Sequence, residues 1–191
     1  MQTNFSKKQL ENKDNLATEK IFKQCVHCGM CNATCPTYGI NGDELEGPRG
    51  RIYLIKDMLE NNKPANKKIA QHIDSCLSCY SCMTTCPSGV NYMHLIDHAR
   101  NYIEENYKRP LSERALRWVL TLVLPYPTRF RVALLGAKMA RPFARFIPDK
   151  RLRAMIAIAP KQVPPVSRND DPQTFAPIAA RKKRVALMTG C

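Results

Sequence analysis

The chain has 191 residues with 30 Lys+Arg against 16 Asp+Glu, a formal charge of +14. No apolar run approaches the roughly 20 residues that span a bilayer, the longest being Trp118 to Leu124 with a threonine inside and Pro125 behind it. The start, MQTNFSKKQLENKDN, is polar and offers no export signal, so nine cysteines do not read as a secreted disulfide scaffold.

In chain order, Ser6 and Gln9 have the form of a capping box, and Leu10, Leu16, Ala17 and Ile21 continue as a ragged helical stripe into Cys25. There the segment Cys25-Val26-His27-Cys28-Gly29-Met30-Cys31-Asn32-Ala33-Thr34-Cys35-Pro36 begins, of the form CxxCxxCxxxCP. Gly29 reads equally as a turn glycine and as a point where backbone approaches a bound group. Residues 37–47 are punctuated by Gly39, Gly42 and Gly47 and read as a loop. Ile52, Ile55, Met58 and Leu59 then mark an amphipathic helix over 49–61, with Pro48 in its first turn. Arg49 and Arg51 oppose the dipole of that helix and call for a counter-charge, a cluster bound at the cysteines being one candidate, although a solvated pair is the plainer expectation. A short helix through Ile69, Ala70 and Ile73 delivers the second motif, Cys76-Leu77-Ser78-Cys79-Tyr80-Ser81-Cys82-Met83-Thr84-Thr85-Cys86-Pro87. Tyr92, Leu95, Ile96, Ala99 and Ile103 predict a further helix. A compact ferredoxin joins its motifs by a short β connection; here about forty residues of helical periodicity intervene, so residues 1–108 read as an all-α domain and the chain as mainly α.

Two copies of CxxCxxCxxxCP point to iron-sulfur chemistry. Three thiolates spaced CxxCxxC close around one face of a 4Fe-4S cube, and in two-cluster ferredoxins the fourth cysteine ligates the other cluster. Cys25, Cys28, Cys31 and Cys86 are therefore assigned to one 4Fe-4S cluster, and Cys76, Cys79, Cys82 and Cys35 to the second. Structural zinc uses four ligands from two CxxC knuckles, which does not match four cysteines ending on Cys-Pro. With eight thiols sufficient, His27, His72, His94 and His98 read as surface or packing residues. Sulfur used for ligation also places the chain in a reducing, cytoplasmic setting.

Residues 101–191 hold 18 basic and 6 acidic residues, against 12 and 10 in residues 1–100. Three proline-punctuated amphipathic segments lie within 109–159: Leu111 to Leu124, Thr128 to Ile147 and Asp149 to Ala159. Their arginines suit a solvated face, an acidic partner or an anionic membrane surface at the cytoplasmic face, and the residues alone leave the three open. Nucleic acid is not expected, since no binding motif and few interleaved aromatics are present. Residues 160–183 are a proline-rich linker, and 184–191, ending Val185-Ala186-Leu187-Met188-Thr189-Gly190-Cys191, read as the first strand of a domain cut short.

The two cysteine motifs, Gly42-Asp43-Glu44-Leu45-Glu46-Gly47-Pro48-Arg49-Gly50-Arg51-Ile52-Tyr53-Leu54-Ile55-Lys56 and Arg184 to Cys191 resemble the glycolate oxidase iron-sulfur subunit family. The resemblance implies an α-helical ferredoxin-type domain, two 4Fe-4S clusters, and partner subunits that carry FAD and oxidise glycolate to glyoxylate. It also implies electron delivery to an acceptor such as quinone. No nucleotide fingerprint or acid-base constellation is present, so this chain reads as a non-catalytic relay. The cysteine motifs are shared with D-lactate and anaerobic glycerol-3-phosphate dehydrogenase subunits, which stand as the alternative, followed by a non-redox iron-sulfur protein.

Overall fold

The structure, a computed structural model, describes residues 1–163, 165, 174–179 and 182–186. Among these are ten α-helices and three 3₁₀ turns, with no strand, as the mainly-α reading requires. The chain divides into two units, Met1–Lys108 and Arg109–Cys191.

The first unit opens with α1 (Lys7–Leu10) and α2 (Lys13–Gln24). The capping box forms: the Gln9 N–H donates to Ser6 Oγ at 3.3 Å and the Ser6 N–H to Gln9 Oε1 at 2.8 Å. The single stripe expected here is nevertheless two helices. Asn12 turns extended and its side chain accepts from the N–H groups of Asp14 and Asn15, so a cap interrupts the stripe. Residues 36–46 also differ from the expected loop. Pro36 starts α3 (Pro36–Asn41), Gly42 ends it at φ 65°, and a 3₁₀ turn covers Glu44–Glu46.

The amphipathic segments form α4 (Pro48–Glu60), α5 (Lys67–Asp74) and α7 (Tyr92–Asn106), with α6 (Ser81–Thr84) inside the second motif. The core is centred on α7, whose Leu95, Ile96, Ala99 and Ile103 are fully buried against α2, α4 and α5. Phe22, Ile55, Met58 and Ile73 complete it from those helices. Burial of each such side chain contributes about 1.5–3 kcal/mol. Gly50 allows α4 to ride directly on the 3₁₀ turn, because a Cβ there would collide with the Glu44 carbonyl oxygen.

In the second unit, α8 (Leu111–Val123), α9 (Pro127–Ala140) and α10 (Lys150–Ile158) follow the basic segments. The segment expected as one helix to Ile147 changes at Arg141-Pro142 into a 3₁₀ turn over Arg141–Phe146, since proline removes an N–H from the α ladder. None of these elements holds a buried residue. Trp118, Met139, Phe143, Phe146 and Ile158 are exposed. Arg141 Nη2 donates to the Ala159 carbonyl at 2.7 Å and Arg151 pairs with Glu113 at 3.1 Å. Residues 182–186 form no strand, and Leu187 to Cys191, the rest of the expected strand, lie outside the described residues.

Candidate metal centre

Both cysteine loops use the same backbone. In the first, His27 and Gly29 have φ 60° and 84°; in the second, the equivalent Ser78 and Tyr80 have φ 51° and 56°. A left-handed non-glycine residue costs roughly 1–2 kcal/mol, and such strain persists where surrounding contacts enforce it. Arg100 of α7 supplies that contact in the second loop, donating to Ser78 Oγ at 2.6 Å and to the Cys76 carbonyl at 2.8 Å. In the first loop Gly29 is required on a second count as well, since a Cβ would meet the guanidinium of Arg49.

The motifs face each other. Thr34 and Thr85, which occupy equivalent positions, are hydrogen-bonded at 3.1 Å, and Thr34 Oγ1 also donates to the Ser81 carbonyl at 3.3 Å. Equivalent residues meeting each other mark a local pseudo-twofold relation between the loops. Two cavities flank this seam. One, about 450 Å³ with its open mouth counted, is lined by Cys25, Cys28, Cys31 and Cys86 together with Cys82. The other, about 300 Å³ on the same measure, is lined by Cys35, Cys76, Cys79 and Cys82. Each cavity thus takes cysteines from both motifs. Cys82, Pro48 and Tyr92 line both and form the partition between them.

The eight thiols are free of disulfides. Burial, reinforced by neighbouring thiols, pushes Cys31 up to about 11 and Cys82 up to about 12, so both are protonated near neutrality until a metal displaces the proton. Hydrogen bonds from Ser81 hold the exposed Cys79 thiol below its usual range. Among the described residues no three His, Cys, Asp or Glu side chains converge where a single ion could be held. The sulfurs stand around cavities instead, an arrangement that fits a polynuclear group with thiolate ligands.

Behind Cys35 lies a polar network built on Arg51, whose side chain is 1% exposed. The guanidinium donates to Glu46 Oε2 at 2.7 Å, the His72 carbonyl at 2.7 Å, Ser75 Oγ at 3.0 Å, Thr37 Oγ1 at 3.1 Å and Cys35 Sγ at 3.9 Å. Burial acts to raise the Glu46 carboxyl, but hydrogen bonds from Ser75 and His72 and the charge of Arg51 outweigh it and hold Glu46 below the usual range. The expectation of a solvated arginine pair is therefore incorrect for Arg51: its counter-charge is Glu46, five residues upstream. Arg49 is paired in the same register with Glu44 at 2.5 Å but at the surface.

Further groups lie against sulfur, with the Thr37 hydroxyl 3.2 Å and the Glu46 carbonyl 3.6 Å from Cys35 Sγ. The Tyr92 hydroxyl donates to Cys76 Sγ at 3.7 Å, the Val90 N–H to Cys86 Sγ at 3.5 Å, and Asn32 Oδ1 faces Cys31 Sγ at 4.0 Å. Sequence reasoning missed Tyr92, Thr37 and Ser81, because a tyrosine on an apolar stripe, a hydroxyl after Cys-Pro or a serine between two cysteines of the motif carries no spacing signal. Of the histidines, His72 bonds Glu46 at 2.7 Å, His98 bonds the buried Thr18 at 2.7 Å, and His94 and His98 lie in contact with each other. His27 packs against Tyr53 and lines the first cavity.

Residues 21–90 match the family model of the 4Fe-4S dicluster domain. Over all 191 residues the chain is 42% identical to the glycolate oxidase iron-sulfur subunit of Escherichia coli, covering 43% of that protein. It is 32% identical to the probable glycolate oxidase iron-sulfur subunit of Bacillus subtilis, covering 46% of it. A succinate dehydrogenase iron-sulfur subunit from Paracoccus denitrificans is 28% identical over 74 residues, 36% of this chain and 29% of that one. The chain thus spans less than half the length of the curated glycolate oxidase subunits it matches. No solved structure matches the chain significantly.

Proposed function

We propose that this chain, which carries a 4Fe-4S dicluster domain over residues 21–90 and is similar throughout to the N-terminal portion of glycolate oxidase iron-sulfur subunits, is the electron-relay part of a flavin-dependent glycolate oxidase. The observation that carries the reading is the pair of adjacent cavities, each lined by cysteines of both motifs. Cys25, Cys28, Cys31 and Cys86 would hold one 4Fe-4S cluster, and Cys76, Cys79, Cys82 and Cys35 the other. Bound there, such clusters supply one-electron transfer. The residues of the chain do the rest: the left-handed loop positions hold the sulfurs in place, and the Pro48–Cys82–Tyr92 partition keeps the two sites in van der Waals reach of common side chains.

Oxidation of the hydroxy acid to the keto acid belongs on this reading to FAD-bearing partner subunits, with delivery to a downstream acceptor such as a quinone. The second unit supplies a peripheral contact with the anionic cytoplasmic face of a membrane. Supporting this are helices with no buried residue, the exposed Trp118, Phe143, Phe146 and Ile158, and the interleaved Arg129, Arg131, Arg141, Arg145, Arg151 and Arg153. No helix among the described residues is long and apolar enough to cross a membrane.

The test is anaerobic purification followed by assembly of the complete subunit with its flavoprotein. About eight irons and eight sulfides should be present over residues 1–191, and glycolate should reduce the clusters at the rate of turnover. Flavin reduced by glycolate while the clusters stay oxidised refutes the relay. A much faster response to D-lactate reassigns the substrate.

A further inference from the structure

The two sites are not equally provided with hydrogen-bond donors, although their loops share one backbone. At the second site, the sulfur of Cys35 lies against the Thr37 hydroxyl at 3.2 Å, the Glu46 carbonyl, an acceptor, at 3.6 Å and an N–H of Arg51 at 3.9 Å, and the sulfur of Cys76 accepts from the Tyr92 hydroxyl at 3.7 Å. Ser81 donates to Cys79 as well. At the first site, the Val90 N–H reaches Cys86 at 3.5 Å and a backbone N–H bonds Cys31, with no side-chain donor among the described residues. Cys31 there faces an acceptor, Asn32 Oδ1, and the buried Nδ1 of His27 has no hydrogen-bond partner.

The donors of the second site are also fixed. Arg51 is held by Glu46, Ser75, Thr37 and the His72 carbonyl, which together fix the direction of its N–H toward Cys35. Its charge is matched by Glu46, so it acts as an oriented donor rather than as a net charge. The Thr37 hydroxyl spends its proton on the Glu46 carbonyl at 2.7 Å while accepting from Arg51, and so positions the guanidinium. Tyr92 is 3% exposed and lines both cavities, yet its hydroxyl serves only Cys76.

Reduction adds an electron whose charge is shared by the sulfurs, and donors to those sulfurs stabilise the reduced form and raise the potential. Resting on the two-cluster reading above, we propose that the site of Cys35, Cys76, Cys79 and Cys82 is the more oxidising of the two, with Arg51 and Tyr92 as the positioned donors that set its potential. Electrons then collect at that site, which makes it the exit side of the relay, while the site of Cys25, Cys28, Cys31 and Cys86 meets the reductant, a reduced flavin.

The experiment is an EPR-monitored redox titration of the complete, anaerobically purified subunit, with Cys28→Ser and Cys79→Ser marking which signal belongs to which site. The signal altered by Cys79→Ser should have the more positive midpoint. Tyr92→Phe, which keeps the ring and removes only the hydroxyl, should lower the reduction equilibrium of that cluster about tenfold, a negative shift near 59 mV for one electron, and leave the other midpoint in place. Arg51→Lys should move the same midpoint in the same direction. The proposal is overturned if Cys28→Ser marks the more positive signal, or if Tyr92→Phe moves the other midpoint or neither. Protein without iron and sulfide would instead overturn the two-cluster reading itself, and iron analysis separates the two failures.

Discussion

Replacing Glu46 with alanine removes the carboxylate from a guanidinium that has nowhere else to place its charge. The Arg51 and Glu46 side chains are 1% and 8% exposed and 2.7 Å apart, and Ser75 and His72 lean on the same carboxylate. Taking one partner from a buried pair costs about 3–5 kcal/mol, because the remaining charge is left in a low-dielectric interior. The neighbouring pair provides the internal control. Arg49 and Glu44 are 33% and 42% exposed, and pairs of that kind are worth about 0.2–1 kcal/mol. Glu46→Ala should therefore lower the midpoint of anaerobic urea unfolding by about 2–3 M at an m-value near 1.5 kcal/mol/M, and Glu44→Ala by well under 1 M. The double variant Glu46→Leu with Arg51→Met should recover part of the loss, since no unpaired charge remains. Equal shifts for Glu46→Ala and Glu44→Ala would refute the argument that burial makes this pair indispensable.

Gly50→Ala gains about 1 kcal/mol in helix propensity but drives a Cβ into the Glu44 carbonyl, so a net loss of about 1–3 kcal/mol is expected; a raised melting temperature would contradict it. On the two-cluster reading, Cys86→Ser should perturb the signal of the cluster assigned to Cys25, Cys28 and Cys31, and a change confined to the other cluster would disprove the exchanged ligation. Burial holds half-buried His98 below the ordinary histidine range, with Asp14 and Glu105 pulling upward and His94 downward. Its folded form favours the neutral ring, so its share of stability is complete above the unfolded pKa of about 6.5 and declines as pH falls through and below that value. The stability difference between wild type and His98→Gln should therefore shrink from about pH 8 to about pH 5, measured by denaturant titration; a difference that grows instead would show that His98 gains its proton on folding.

Much of the fold was legible because its helices bury stripes. Leu95, Ile96, Ala99 and Ile103 announce α7 at helical spacing, and they are the fully buried face in the structure. The break at Asn12 and the six-residue α3 were not legible, since each depends on one cap or one proline rather than on a repeated pattern. The cysteines could be read from spacing alone, but their surroundings could not. Arg51 sat at a helix start where the dipole disfavours it, a signal that a partner was needed. Only the fold revealed that Glu44 and Glu46 pair in register with Arg49 and Arg51 across the turn at Gly47. Tyr92 reads as one more apolar anchor of α7 until its hydroxyl is seen on Cys76.

The seam between Thr34 and Thr85 bears on how the protein is built in the cell. It joins positions 51 residues apart, and the helices between them shorten the span of free chain that has to close. Those helices act as a jig that sets how the two loops face each other. Within each cradle the equivalent second cysteines, Cys28 and Cys79, are exposed, while Cys25 and Cys82 lie inside. On the two-cluster reading, an incoming cluster would meet Cys28 and Cys79 first, with the buried sulfurs behind them.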